Sequence, residues 1–480
     1  MDVHVRIEGR GDRSDRIYRQ LRDAIHDGRL RRGERLPPSR DLAGRLAVSR
    51  NTVAVAYERL AAEGYLVSRV GSGTFVAAPT PGPHRAGGRR APVSSALHPR
   101  SLWQDLPDPL WTEPVPIAYD FSVGTPDPGL FPLEQWRRFV AGELRKGILD
   151  AGGYGDPAGL ARLRAAIARH IGVARSVDAA PDDVLVTSGA QQAFDLIGRV
   201  LVEPGDVVAV EEPGYPPVRQ LFESLGAVVV GVPVDDHGLV VDALPATARL
   251  VYVTPSHQFP LGAVMSFDRR VALLEWAGRS GAAIVEDDYD TEYRFADRPL
   301  DPLQSLDRDG RVIYVGTFSK TMLPALRLGF LVAPEPLRGA LRSAKRLTDW
   351  SADYLNQAAM ARFIDGGHFA RHVRRATREY GARQQQIISE VAAEFGDAFR
   401  VVPSIAGLHL CIRPADTDFA AERVVALAAS VGVSVQALST FCADEAQPGL
   451  ILGFGSVAPE DVGDGLRLLA GAVARAGTLS

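Results

Sequence analysis

VIYVGTFSKTMLPALRLGFLV, residues 312–332, is the stretch on which the reading of this chain turns. It opens on an apolar, β-branched run at 312–315 and closes on a second at 328–332, so it predicts two strands joined by a polar turn. Lys320 sits in that turn, just past the end of a buried strand, where a side chain can point into a cleft. Partial burial and neighbouring positive charge lower the pKa of such an amine toward a useful nucleophile. The composition singles it out. Lys and Arg together number 54, yet the lysines are only Lys146, Lys320 and Lys345. Arginine stays protonated and cannot bond to an aldehyde, so each lysine invites a question.

Working outward, apolar runs at 184–187, 207–210, 227–232, 250–254 and 283–286 alternate with helical stretches. That alternation predicts an α/β domain with a mainly parallel sheet and helices on both faces. Asp287 follows the run at 283–286, and Tyr289 lies two residues on. A carboxylate there can hold a pyridine nitrogen protonated, although charge alone does not say which aspartate of the acidic run 286–290 faces a ring. Ser188, Gly189, Ala190 and Gln191 follow the run at 184–187 and open a helix, whose N-terminal N–H groups suit a phosphate. Thr317 and Arg327 flank Lys320 and can complete that cradle, and Tyr215 in Glu-Pro-Gly-Tyr is a candidate stacking ring. An amine, an anion for a ring nitrogen, a flat partner and a phosphate cradle are what pyridoxal 5'-phosphate asks of a protein.

The first 78 residues read differently. Ile17, Leu21, Ala24 and Ile25 recur at helical spacing, and Gly28 stops that helix. A second helix spans 39–46 with Ser39 as its expected N-cap, and a third runs from Ser49 to about Glu63. Two β-prone runs around Gly71, Ser72 and Gly73 then make a hairpin. Three helices and a hairpin form a winged helix-turn-helix. Its third helix offers Ser49, Arg50, Asn51 and Thr52 to the base edges of a major groove, where arginine suits guanine and asparagine suits adenine. Arg40 can reach phosphate, and the Gly71–Gly73 tip lets backbone approach DNA. Charge agrees: residues 1–80 hold 15 Arg against 10 Asp and Glu, on a chain of net charge −4.

Residues 79–118 contain nine prolines and little apolar periodicity, so they are expected to be a linker between a DNA-binding domain at 1–78 and a cofactor domain at 119–480. Hydrophobic residues are 46% and charged residues 23%, ordinary for a soluble globular protein. No apolar run reaches about 18 residues, and the charged N-terminus lacks the apolar stretch of a secretory signal. Cys411 and Cys442 suggest neither a disulfide framework nor a metal site. A cytoplasmic protein without a membrane partner is the expectation.

RLPPSRDLAGRLAVSRNTVAVAYERLAAEGYLVSRVGSGTFV in the head resembles the GntR family of regulators. YGDPAGLARLR, TSGAQQA, EEPGYP, TPSHQFPLG, EDDYDTEYR and TFSKTMLPALRLGF resemble fold-type I aminotransferases over residues 119–478. Together they look like the MocR subfamily of GntR-type regulators, in an order that covers nearly the whole chain. The resemblance implies a smaller C-terminal α/β subdomain and a homodimer. It implies that Lys320 bonds to the cofactor aldehyde, Asp287 pairs with the ring nitrogen, Tyr289 contacts the ring hydroxyl and Tyr215 stacks. It assigns the phosphate to Ser188, Gly189, Ala190, Thr317 and Arg327, with Tyr154 reaching the phosphate of a partner subunit, and places His257 and Gln258 along the cofactor cleft.

Two departures bear on function. Aminotransferases bring an arginine near the C-terminal strand to grip the substrate carboxylate; residues 452–456 here read Leu-Gly-Phe-Gly-Ser. Family members that respond to GABA carry an arginine two residues after the stacking tyrosine, where this chain has Pro217. The leading expectation is therefore a regulator that binds a double-stranded DNA operator and senses pyridoxal phosphate or an amine or amino-acid effector. A working aminotransferase with an accessory DNA-binding head is the alternative, and a regulator whose body serves only to dimerise is a third.

Overall fold

The computed structural model describes residues 12–69, 71–77, 98, 100–105, 117–146, 153–295, 301–416 and 418–477. Most of the expected linker, 79–118, lies outside the described residues. The chain divides into two compact units, Met1–His98 and Pro99–Ser480.

In the first unit, helices Arg13–His26, Ser39–Leu46 and Arg50–Ala62 enclose a core of Ile17, Leu21, Ile25, Leu42, Val53 and Leu60. The spacing explains the packing: these apolar residues fall on one stripe of each helix. Asp12 caps the first helix and Ser49 caps the third, its hydroxyl accepting from the Thr52 N–H at 3.1 Å. Ser39 is not the cap of the second helix. Pro38 occupies that position without a side-chain cap, and Ala47, at φ 50°, turns the chain toward the third helix. Strands Leu66–Arg69 and Gly73–Val76 pair antiparallel, and Arg69 lies over the Phe75 ring at 5.1 Å.

The second unit is built on a sheet with eight strands among the described residues. Across the sheet they run Val184–Thr187, Gly329–Val332, Val312–Thr317, Ala283–Asp288, Ala248–Val253, Val207–Glu212, Val228–Asp235 and Gly238–Leu239. The five from Val312–Thr317 to Val228–Asp235 are mutually parallel. Gly329–Val332 is antiparallel to both neighbours, and Gly238–Leu239 folds back as a hairpin. The central strands are buried and near-continuously apolar, as a sheet covered on both faces requires.

The acidic run was expected to begin where a strand ends. Instead Ala283–Asp288 carries Glu286, Asp287 and Asp288 within its ladder. The ladder continues because these carboxylates have partners waiting. Glu286 accepts from the N–H groups of Leu303 and Gln304, Asp287 from Tyr252, and Asp288 from Arg175.

A smaller subdomain follows the 28-residue helix His368–Phe395. Its antiparallel strands Phe399–Val401, His409–Pro414, Leu450–Gly453 and Gln436–Ala437 pack against Ala421–Ala429 and Val462–Gly477. Strand Tyr119–Asp120 pairs with Val433–Ser434 and so ties the start of this unit to the subdomain. No helix among the described residues is long and apolar enough to cross a membrane.

Candidate functional site

A cavity of about 200 Å³ opens at the carboxyl ends of the parallel strands, where α/β sheets place their ligands. Lys320, Asp287, Tyr289, Tyr215, Ala190, Thr317 and Arg327 all line it. Lys320 follows the strand Val312–Thr317, and its Nζ donates to the Gly124 carbonyl at 2.6 Å. Burial pushes the Lys320 pKa down, against the nearby Asp290 and Asp287. The approach is close enough that a Cβ at Gly124 would stand 2.6 Å from the amine.

Asp287 lies deep in the cavity floor. One oxygen accepts from the Tyr252 hydroxyl at 2.6 Å. The other, Oδ1, is buried and has no hydrogen-bond partner among the described residues. Burial pushes the carboxyl up to about 7, with the Tyr252 hydrogen bond working the other way. A buried oxygen left without a donor is costly, and a protonated ring nitrogen is a donor that fits. The neighbouring Asp288 is fully engaged: Arg175 donates to it at 2.7 Å, and Tyr314 and Thr291 hold the same carboxylate. Tertiary contacts thus separate two aspartates that charge alone left equivalent.

The end of the cavity at helix Ala190–Leu201 is equally specific. Helix Ala190–Leu201 starts at the cavity with Gly189 (φ 85°) at its cap and no side-chain cap, leaving N-terminal N–H groups for an anion. The Ser188 N–H is already given to Gln192 at 2.8 Å, and the Ser188 carbonyl accepts from Arg327 at 2.6 Å. Arg327 itself has φ 50°, a left-handed conformation uncommon outside glycine and frequent at functional sites. Its guanidinium passes so close to Gly189 that a Cβ there would stand 3.3 Å away. Thr317 Oγ1 accepts from the Ser319 N–H at 3.1 Å.

Ser319 was missed from sequence although it lies inside the decisive motif; it lines the cavity beside Thr317. Tyr252, which holds Asp287, gave no signal, because a tyrosine inside an apolar strand reads as core. Phe259 and His409 also line the cavity. Phe259 packs edge-on against Tyr215 at 5.6 Å.

Ser188 and Gly189 do not line the cavity, and neither do His257 and Gln258, which are buried one layer back. His257 Nδ1 stands 2.9 Å from the Tyr289 hydroxyl and 2.9 Å from Asp290, so it orients the tyrosine. Gln258 donates to the carbonyls of Pro213 and Phe259 and accepts from the Leu261 N–H, bracing the two loops that carry Tyr215 and Phe259. Tyr154 lies outside the cavity, 82% exposed, with its ring against Trp350. Residues 450–456 supply no cation. Ile451 joins an apolar cluster with Phe259 and Leu261, and Arg383 donates to the Gly455 carbonyl at 2.9 Å from behind.

In the head, Arg40, Arg50 and Asn51 are exposed and without a side-chain partner among the described residues, while Ser49 and Thr52 are occupied in capping. The tip residues Gly71 and Ser72 are also exposed.

A winged-helix head and an aminotransferase-type body with a lysine and an orphaned aspartate in one cavity define a DNA-binding regulator built on an enzyme fold. Residues 13–76 match the bacterial regulatory proteins of the gntR family, and residues 121–450 match the class I and II aminotransferases. The chain belongs to the MocR subfamily of GntR-type transcription regulators. It is 39% identical over 460 residues to the "probable rhizopine catabolism regulatory protein" MocR of Rhizobium meliloti, covering 94% of this chain and 92% of that protein. It is 34% identical over 444 residues to the pyridoxine biosynthesis transcriptional regulator PdxR of Corynebacterium glutamicum, covering 92% and 91%. Among solved structures, the LysN α-aminoadipate aminotransferase of Thermus thermophilus, complexed with N-(5'-phosphopyridoxyl)-L-leucine, is 31% identical. It matches with a TM-score of 0.69 over 75% of this chain and 93% of that one.

Proposed function

We propose that this regulator binds pyridoxal 5'-phosphate in the body cavity and reports the cofactor, or an amine reacting with it, to a DNA operator read by the head. The observation that carries the reading is the make-up of the cavity. Candidates for each role in holding the cofactor lie in or beside it, and the cations that line it are Lys320 and Arg327, both assigned to the cofactor in this reading; His409 also lines it, but burial pushes its pKa down to about 3. An amino-acid substrate would find no guanidinium for its carboxylate among the described lining residues. Recognition without a fixed grip on the substrate suits sensing more than turnover.

When bound, the cofactor supplies an aldehyde that takes up amines and a ring that withdraws electrons. The protein's part is to hold and orient. Lys320, with its pKa lowered by burial, gives up its proton more readily than an exposed lysine. Asp287 Oδ1 would pair with the ring nitrogen and favour its protonated form. Tyr289, fixed by His257, would offer its hydroxyl to the ring, and Tyr215 would cover it. Arg327 and the start of helix Ala190–Leu201 would hold the phosphate. In a homodimer, the exposed Tyr154 would complete the partner's phosphate site, and paired heads would read two half-sites. An effector shifts DNA affinity only through unequal affinity for two arrangements of the protein.

The test is the visible spectrum of the cofactor-loaded protein, read together with its affinity for its own upstream DNA, during addition of an amino-acid panel and then a 2-oxo acid. A regulator gives a spectrum that stays put or shifts once, with a matching change in DNA affinity. Many cycles of interconversion driven by the oxo acid would overturn the reading in favour of an aminotransferase.

A further inference from the structure

No guanidinium for a substrate carboxylate is left among the described residues that line the first cavity, but Arg400 and Arg413 line a second one. Beyond the apolar cluster of Phe259, Leu261, Cys411 and Ile451 opens a second cleft, of about 840 Å³. Leu261, Ala263 and Val264 form one wall, Val234 to Asp236 another, and Arg400, Arg413 and Gln447 of the smaller subdomain the third.

Arg400 and Arg413 are directly opposite each other on the antiparallel strands Phe399–Val401 and His409–Pro414. Like charges in that position repel. No carboxylate among the described residues pairs with either one. Arg413 donates to Gln447, but its Nε is buried and has no acceptor. Two adjacent guanidiniums with unused donors match the planar fork of a carboxylate. Asp235 is already neutralised by Arg269 at 2.9 Å, whereas Asp236 is exposed and has no partner among the described residues. The cleft therefore presents a positive end, an apolar wall and one free carboxylate.

We propose that this cleft is a second ligand site for a small organic acid that also bears an ammonium group. The carboxylate lies between Arg400 and Arg413, the carbon chain lies on Leu261 and Val264, and the ammonium faces Asp236. The site is separate from the cofactor cavity and does not require the cofactor. The two share one loop, however. Phe259 lines the cavity and Leu261, Ala263 and Val264 line the cleft, and Gln258, just before Phe259, donates its backbone N–H to the Ala263 carbonyl at 2.8 Å. Occupancy of the cleft thus bears on the segment that packs against Tyr215.

The experiment uses full-length protein treated with pyridoxal phosphate and borohydride, which locks Lys320 so that an amine cannot react there. Calorimetric titrations compare 5-aminopentanoate with glutarate, the same carbon chain with a carboxylate in place of the ammonium. The expected result is saturable binding of 5-aminopentanoate, one molecule per chain and tighter than glutarate. Arg400→Gln and Arg413→Gln should each weaken it by about tenfold or more. Arg400 is exposed, so its variant tests the site without threatening the fold. No saturable binding, tighter binding of glutarate, or unchanged binding in both variants would overturn the proposal. Failure of the cofactor reading shows separately, as absence of the reduced adduct in the protein's mass.

Discussion

The head carries Arg40, Arg50 and Asn51 on its surface, unpaired, on two helices close together in the chain. The body gathers Gly124, Tyr215, Asp287, Lys320 and Arg327 from distant segments around one cavity and buries Asp287 at its floor. The difference follows from the ligands. A DNA duplex is large and stays in water, so its readers must protrude and can be specified by one helix and its turn. A small cofactor must be surrounded, and a dry cavity makes each charge count for more, including those left unpaired. Asp287 and Asp288 show the contrast within one strand: the first has an oxygen reserved, the second is spent on holding Arg175.

If the two regions work by separate chemistry, they should fail separately. The largest effect is expected from Lys320→Ala, which should abolish covalent retention of pyridoxal phosphate after borohydride reduction, read by mass of the denatured chain. Retention in that variant would mean that another group bonds to the aldehyde.

Next in size is Asp288→Asn. It leaves the Arg175 charge buried without its partner, and breaking a buried pair costs about 3–5 kcal/mol. Urea unfolding monitored in the body should show that loss. A change of under about 1 kcal/mol would show that Arg175 finds other compensation.

Arg50→Ala should weaken binding to operator DNA by about 1–3 kcal/mol while leaving the cofactor spectrum unchanged. Equal loss on operator and unrelated DNA would instead assign Arg50 to the phosphate backbone.

The smallest effect concerns Asp287 and depends on pH. Its folded pKa is raised to about 7 by burial, so the native state keeps a proton that the unfolded chain has already released. Stability of the cofactor-free protein should therefore fall as pH rises from about 4 to 7 and then level off. Asp287→Asn has no proton to lose, so its melting temperature should gain on the wild type across that window, by a few degrees. A gap between the two that does not change with pH would contradict the assignment.

Much of this was legible beforehand. The apolar runs and their alternation with helical stretches are local properties, and they led directly to the parallel sheet. The Lys320 motif stood out because arginine had replaced lysine almost everywhere else. Ser39 misled because Pro38 already set the backbone at that cap, and Ser49, read only as a base contact, caps the third helix. Tyr252, Ser319, Phe259 and Gly124 escaped because nothing near them in sequence reports what they face across the cavity.

The sequence by itself determined the two-part order of the chain and the sheet, and singled out the lysine that lines the cavity, since periodicity and residue scarcity need no contacts to be read. Only the tertiary structure decided which aspartate keeps a free oxygen, that His257 and Gln258 stand behind the site, and that Arg400 and Arg413 face one cleft. Those are questions of which groups meet across strands and loops, and hydrogen bonding and desolvation are settled by such meetings alone.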